Sequence, residues 1–228
     1  MAAHDVTPVA GLSATMANQA NRMVGEAGEF NTAPTSIGDD RKYETDTQLR
    51  AATKRAVDLV LGVAIAVALA PVMLAIAILL ACTSRGSVLV REARVGRGGV
   101  PFAWVGFRTV APDSDRRSGV GALLYRARLD ELPQIFNVLQ GQMSIVGPRA
   151  EPVARVRELS AVLRGYSQRH LVKPGLTGWS QTMAHWSSGD EARRLAYDLH
   201  YVRHHNLLAD CRVLLRTLAL VVMGGAGR

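Results

Sequence analysis

The sequence predicts an α+β fold rich in helix, a small membrane-associated domain preceded by one long apolar helix. Three observations predict it. The run Ala56–Cys82 carries a single charge, Asp58. Leu132, Ile135, Phe136 and Leu139 fall at i, i+3, i+4 and i+7, one apolar stripe of a helix. The clearest strand signal, REARVGRGGVPFAWVGFR, places Val100, Phe102, Trp104 and Phe107 around a turn at Gly96–Gly99.

Composition points the same way. Apolar residues make up 48% of the 228-residue chain but aromatics only 5%, so the excess is Ala, Val and Leu, as one long apolar segment produces. A net charge of +8 calls for anionic partners: phosphorylated ligands, lipid head groups or nucleic acid. No helix-turn-helix, RNP or zinc-finger pattern is present, so nucleic acid is not expected as a partner. Cys82 and Cys211 offer neither a disulfide framework nor zinc spacing, which fits a reducing compartment.

Residues 1–52 lack periodicity and read as a variable, disordered tail; no apolar run follows Met1, so no cleavable secretion signal is expected. Residues 53–84 form the expected membrane anchor. At about 1.5 Å per residue the apolar run reaches roughly 40 Å, enough to cross a bilayer. Pro71 lies mid-run, where it removes a backbone bond and kinks a helix. Lys54 and Arg55 precede the run, and Arg85, Arg91, Arg94 and Arg97 follow it. Composition favours a straight span, while the positive-inside rule places both flanks in the cytoplasm. A kinked, re-entrant helix satisfies both.

Residues 85–228 form the expected cytoplasmic-face domain. Arginine outnumbers acid between 85 and 128, a basic face suited to anionic lipid. Residues 111–121 read as a polar loop. In LDELPQIFNVLQGQMSIVGPR, residues 129–149, Asp130 stands at the expected N-cap and Pro133 in the first turn. Gly141 closes the helix in the left-handed conformation. Asp130 and Glu131 therefore face the positive end of a helix dipole, which keeps them ionised and usable as nucleophile or Mg²⁺ ligand. Arg149, after Gly147-Pro148, offers a planar fork suited to phosphate. The same residues also read as a capped helix with a solvated acidic first turn. Residues 150–168 read as a surface helix, VKPGLTGWSQ as a structural turn, and Asp190–Val222 as helix with Leu207, Leu208, Val213, Leu214, Leu215 and Leu218 on a core or interfacial face. His200 and His204, at i and i+4, lack an acidic third ligand, so zinc is not expected.

The stretch 129–149 resembles the signature of the bacterial sugar transferases, the monotopic phosphoglycosyl transferases: LDELPQ-x-x-NVL-x-G-x-MS-[IL]-VGPRP, with Ala150 replacing the final proline. Arg94, Gly96, Gly99, Pro101, Phe102, Phe107 and Arg108 match R-x-G-x-x-G-x-PF-x-x-x-KFR, with Gly106 where lysine is usual. Lys173–Gln181 resembles [RK]PG-[IL]-TG-x-x-Q, and Tyr197–Tyr201 resembles YDL-x-Y. Lys54-Arg55 matches the family's Lys-Arg start, while Ala70-Pro71 stands for its Ser-Pro break.

The resemblance implies transfer of a sugar-1-phosphate from a UDP-sugar to polyprenyl (undecaprenyl) phosphate at the cytoplasmic face of the inner membrane, initiating exopolysaccharide, O-antigen or glycan assembly for downstream glycosyltransferases. Asp130 is then the nucleophile and a Mg²⁺ ligand, and Glu131 a base or positioning group. Arg94, Arg108, Gln134, Asn137 and Arg149 contact substrate or phosphate, Lys173 and Gln181 are further possible contacts, and Lys54, Arg55 and Pro71 belong to a re-entrant anchor. A catalytically silent membrane scaffold of the same fold is the alternative, raised by the departures at Ala70, Ser87, Gly106 and Ala150.

Overall fold

The computed structural model describes the backbone of residues 40–83, 86–110, 119–183 and 190–223, and side chains from Leu49 onward. Residues 1–39 of the expected tail, Arg85, and residues 111–118 of the expected loop lie outside the described residues.

Helix α1 spans Asp40–Thr83 and passes through Pro71 without interruption. It begins well before the anchor boundary expected at 53. An established helix propagates at one hydrogen bond per residue, so good helix formers such as Gln48, Leu49, Ala51 and Ala52 extend it with no apolar stripe of their own. Its segment Leu49–Thr83 is long and apolar enough to cross a membrane, and only 11% of the most apolar window is buried. Val60 and Val67 are each 70% exposed. A soluble core helix would be covered by protein; this one leaves its apolar surface for lipid, and the domain is membrane-associated.

Strands β1 (Leu89–Val95) and β2 (Pro101–Phe107) form the expected antiparallel hairpin, pairing Leu89 with Phe107 and Val95 with Pro101. Gly98 and Gly99 turn it with φ of 70° and 79°. Helix α2 (Val120–Arg126) leads into a 3₁₀ turn, Leu129–Gln134, and helix α3, Ile135–Leu139. Strand β3 (Ser144–Val146) pairs in parallel with β4 (Gly175–Thr177), joined through α4 (Val153–Val162) and a 3₁₀ turn at Tyr166–Leu171. This second sheet was not legible in the sequence, because three-residue strands carry too little alternation to register.

Helix α5 (Trp179–Met183) is followed by α6 (Glu191–His204) and α7 (Leu207–Val222). The continuous helix expected over 190–222 is thus broken. Asn206 is extended and its side chain caps α7, accepting from the Ala209 N–H at 2.8 Å. The main core gathers Trp104 from β2, Ile135 and Val138 from α3, Ile145 and Val146 from β3, and Val213 from α7. The α1 residues Leu61, Ile65 and Met73 pack on it, while Ile76 and Leu80 pack with Phe107 and Leu124. Of the α7 face expected to be apolar, Val213 is fully buried, whereas Leu208, Leu215 and Leu218 stay more than 60% exposed. Both cysteines are free and exposed.

Candidate active site

The acidic pair does not cap an α-helix. Leu129–Gln134 is a 3₁₀ turn, and its N-cap position is taken by Arg128, with φ of 56° and no side-chain cap. Among the described residues Arg128 is the one non-glycine with positive φ. Pro133 explains the local geometry, since its ring disfavours the α conformation at Leu132 and it has no N–H to continue a regular ladder. The regular helix starts only at Ile135, which rotates the expected stripe. Ile135 and Val138 are buried, whereas Phe136 is 45% exposed. Gly141 closes α3 as expected, with φ of 83° and its N–H on the Val138 carbonyl.

Asp130 is held in this turn with only 6% exposure. Strand β2 runs close beneath it. A Cβ on Gly106 would stand 3.0 Å from the Asp130 carbonyl oxygen and 2.3 Å from Cη2 of Trp104. The usual family lysine therefore has no room here, because the Trp104 indole already occupies the volume beside position 106.

Glu131 faces Arg149. Nη2 of Arg149 reaches Oε1 of Glu131 in a short contact, and Nη1 lies 3.4 Å from Oε2, the two-pronged geometry of a guanidinium on a carboxylate. Burial works against the Arg149 charge, but Glu131, aided by Glu151 and Asp130, outweighs it and raises its pKa. Arg149 is placed by backbone. The Gly147 N–H bonds the Thr177 carbonyl at 2.9 Å, and the Gly175 N–H bonds the Pro148 carbonyl at 2.9 Å. A Cβ on Gly147 would lie 2.4 Å from the Lys173 carbonyl oxygen, so this close approach requires glycine. The segment 172–181 thus shapes the site by holding the turn before Arg149.

A layer beneath was missed from sequence. Arg169 donates to the Arg149 carbonyl at 2.9 Å, to Oδ2 of Asp198 at 2.8 Å and to the Tyr166 hydroxyl at 2.6 Å. Ser180 donates to the other Asp198 oxygen at 2.7 Å. Burial opposes the Arg169 charge and Asp198 more than offsets it, so the guanidinium stays charged with a raised pKa. The available signal was Asp198 within Tyr197-Asp198-Leu199, an acid on the inner face of an otherwise basic helix.

The remaining expected contacts are placed as follows. Arg94 binds Glu92 at 2.7–2.8 Å, donates to the Ala150 carbonyl at 3.1 Å and stacks 3.9 Å over Trp104. Arg108 binds the Ser87 carbonyl at 2.8 Å and its hydroxyl at 2.6 Å. Gln134 is buried in the acidic turn. Asn137, expected as a ligand contact, has its amide taken up by protein: it donates to Ala103 O and Gln142 Oε1 and accepts from the Val105 N–H, pinning α3 to β2. Lys54 and Arg55, expected as flanking charges, are docking residues. Lys54 reaches Ser144 Oγ at 2.7 Å and Asp210 at 2.9 Å, with Asp58 at 3.4 Å, and Arg55 caps α3 on the Val138 and Leu139 carbonyls. Asp58 is buried and also accepts from the Ile145 N–H at 3.0 Å, which explains the one charge in the apolar run.

A sequence model of the bacterial sugar transferase family matches residues 49–224, and the chain belongs to that family. It is 34% identical over 222 residues to the UDP-glucose:undecaprenyl-phosphate glucose-1-phosphate transferase of Xanthomonas campestris pv. campestris, covering 90% of this chain and 44% of the relative. It is 38% identical over 181 residues to the enzyme of the same description from Escherichia coli (strain K12), covering 72% and 39%. With the exopolysaccharide production protein PSS of Rhizobium leguminosarum bv. phaseoli it shares 34% identity over 194 residues, 76% of this chain and 97% of that one. The chain thus spans less than half the length of the first two relatives and nearly all of the third.

Proposed function

We propose that this chain is a phosphoglycosyl transferase that moves a sugar-1-phosphate from a UDP-sugar to polyprenyl (undecaprenyl) phosphate and so initiates polysaccharide assembly. The observation that carries the reading is Asp130 buried in a tight turn beside the Glu131–Arg149 pair, within the segment that the family match spans. A carboxylate oxygen of Asp130 attacks the β-phosphorus of the donor. The bond from that phosphorus to the oxygen bridging the two phosphates breaks, and the nucleoside monophosphate leaves. The lipid phosphate oxygen then attacks the same phosphorus, the bond to Asp130 breaks, and a lipid diphosphate sugar results.

Glu131 acts in this reading as a positioning group, because both of its oxygens face Arg149. Arg149 in turn presents cationic charge at the turn where phosphate charge develops. Among the described residues no cluster of three His, Cys, Asp or Glu could hold a metal by itself. Mg²⁺ is commonly held by one or two carboxylates plus substrate phosphates, and Asp130 is the residue that would hold it. Bound there, it would neutralise diphosphate charge.

The docking of α1 supports the re-entrant topology. Lys54, just before the apolar run, and Leu80, near the end of that run, both contact the same domain, which favours both ends of the run on one face of the membrane. With the basic flanks, that face is the cytoplasmic side of the inner membrane. Downstream glycosyltransferases would take up the lipid product.

The test is nucleoside monophosphate release by purified protein in nanodiscs, given Mg²⁺, polyprenyl phosphate and a panel of UDP-sugars, with Asp130→Asn in parallel. Release with one donor, lost in Asp130→Asn, is the expected result. A fully active Asn variant overturns the covalent step, and silence across the panel from folded protein favours the scaffold reading or a donor outside the panel.

A further inference from the structure

Away from Asp130, a cavity of about 220 Å³ opens between α5, α6 and the start of α7. Its wall includes Trp179, His200, His204, Leu208 and Arg212, and among the described residues no acid lines it. The rings are packed into a row: Trp179 and His200 centroids lie 5.7 Å apart, and those of His200 and His204 4.5 Å. Arg216 sits 5.2 Å over the other part of this row, on Trp179. Arg212 is exposed, and among the described residues no carboxylate pairs with it. None of these groups has a part in the proposed transfer.

From the mouth of this cavity an apolar stripe runs down α7. Leu208, Leu215, Leu218 and Val222 follow helical spacing and are 62%, 68%, 61% and 77% exposed. Arg212 and Arg216 stand one turn apart beside the stripe. The same helix is tied to the membrane helix α1 through Lys54 and Asp210 at 2.9 Å. A cationic, aromatic recess at the head of an exposed apolar helix face, joined to a membrane anchor, has the chemistry of an interfacial lipid contact.

We propose that this recess binds the phosphate head group of an anionic phospholipid of the surrounding bilayer. Arg212 donates to the phosphate, the His200 and His204 edges close one side, and an acyl chain lies along Leu208, Leu215 and Leu218. The recess takes the phosphate charge that its own lining leaves without a counter-ion. The proposal stands apart from the transfer reaction, since it needs only binding.

The test uses the full chain in a zwitterionic detergent with isotope-labelled histidine. It is titrated with dihexanoyl phosphatidylglycerol, dihexanoyl phosphatidylcholine and inorganic phosphate, following the His200 and His204 ring resonances. The expected result is saturable movement of both rings with phosphatidylglycerol, weakened about tenfold in Arg212→Gln, the loss of one charge-assisted hydrogen bond. Leu215→Asn should weaken it too. Both variants alter exposed positions, so an unchanged melting temperature verifies the fold. Equal responses to phosphatidylcholine, or Arg212→Gln behaving as the parent, overturn the site. Saturation by inorganic phosphate at the same concentration as the lipid overturns the lipid assignment.

Discussion

Arg169 and Asp198 meet at 2.8 Å with both side chains 2% exposed, and the same guanidinium holds the backbone carbonyl of Arg149. The pair therefore fixes where the Arg149 side chain begins, and through it the Glu131 carboxylate beside Asp130. An ion pair this deep is a poor source of net stability, because desolvating two charges offsets most of their attraction. Its value here is positional.

Asp198→Asn leaves Arg169 charged and buried without a counter-ion. The expected loss is about 3–5 kcal/mol, seen in detergent-phase unfolding. The apolar double variant Arg169→Met/Asp198→Leu recovers much of that stability, yet nucleotide release stays low because the Arg149 carbonyl has lost its donor. Full activity in the double variant would refute the positional role.

Lys54 separates a docking role from a flanking-charge role. Lys54→Arg keeps the positive charge that orients a membrane helix, but its planar fork does not match the compact site among Ser144, Asp58 and Asp210. We expect Lys54→Arg to lower stability by about 1–3 kcal/mol, on the scale of a disrupted buried hydrogen-bond set. A variant as stable as the parent would leave membrane orientation as its sole task.

Gly106→Lys restores the usual family residue where Trp104 and the Asp130 carbonyl leave no space for a Cβ. Overpacking of this kind costs about 1–3 kcal/mol. The pair Gly106→Lys/Trp104→Ala removes the obstructing ring, so its loss should be smaller than the sum of the single losses. Additive losses in a double-mutant cycle would contradict the exchange of volume between positions 104 and 106.

His170 is half-buried, and burial, together with the nearby Arg169 charge, lowers its pKa from 6.5 to about 4. A depressed pKa means the unfolded chain takes up the proton first as pH falls. Its contribution to stability is thus complete above pH 6.5 and declines as pH drops toward 4. His170→Asn should flatten the melting temperature against pH across that window relative to the parent. Parallel curves for the two proteins would remove His170 from the acid response.

The boundary between what the chain displays and what folding adds follows the range of the forces. Local order along the chain determined the apolar anchor, the β1–β2 hairpin around Gly96–Gly99 and the closing Gly141, since each rests on neighbours a few residues apart. Tertiary structure decided the rest. The core around Trp104 took Ile135 and Val138 and left Phe136 outside. Asn137 also pins a strand, and Lys54 and Arg55 also dock α1 on the domain, contacts invisible in the sequence because the partners lie from 34 to 90 residues away, and farther still for Asp210. Hydrogen bonds and ion pairs over such separations leave no period in the sequence. They form only when the burial of apolar faces has already brought those segments together.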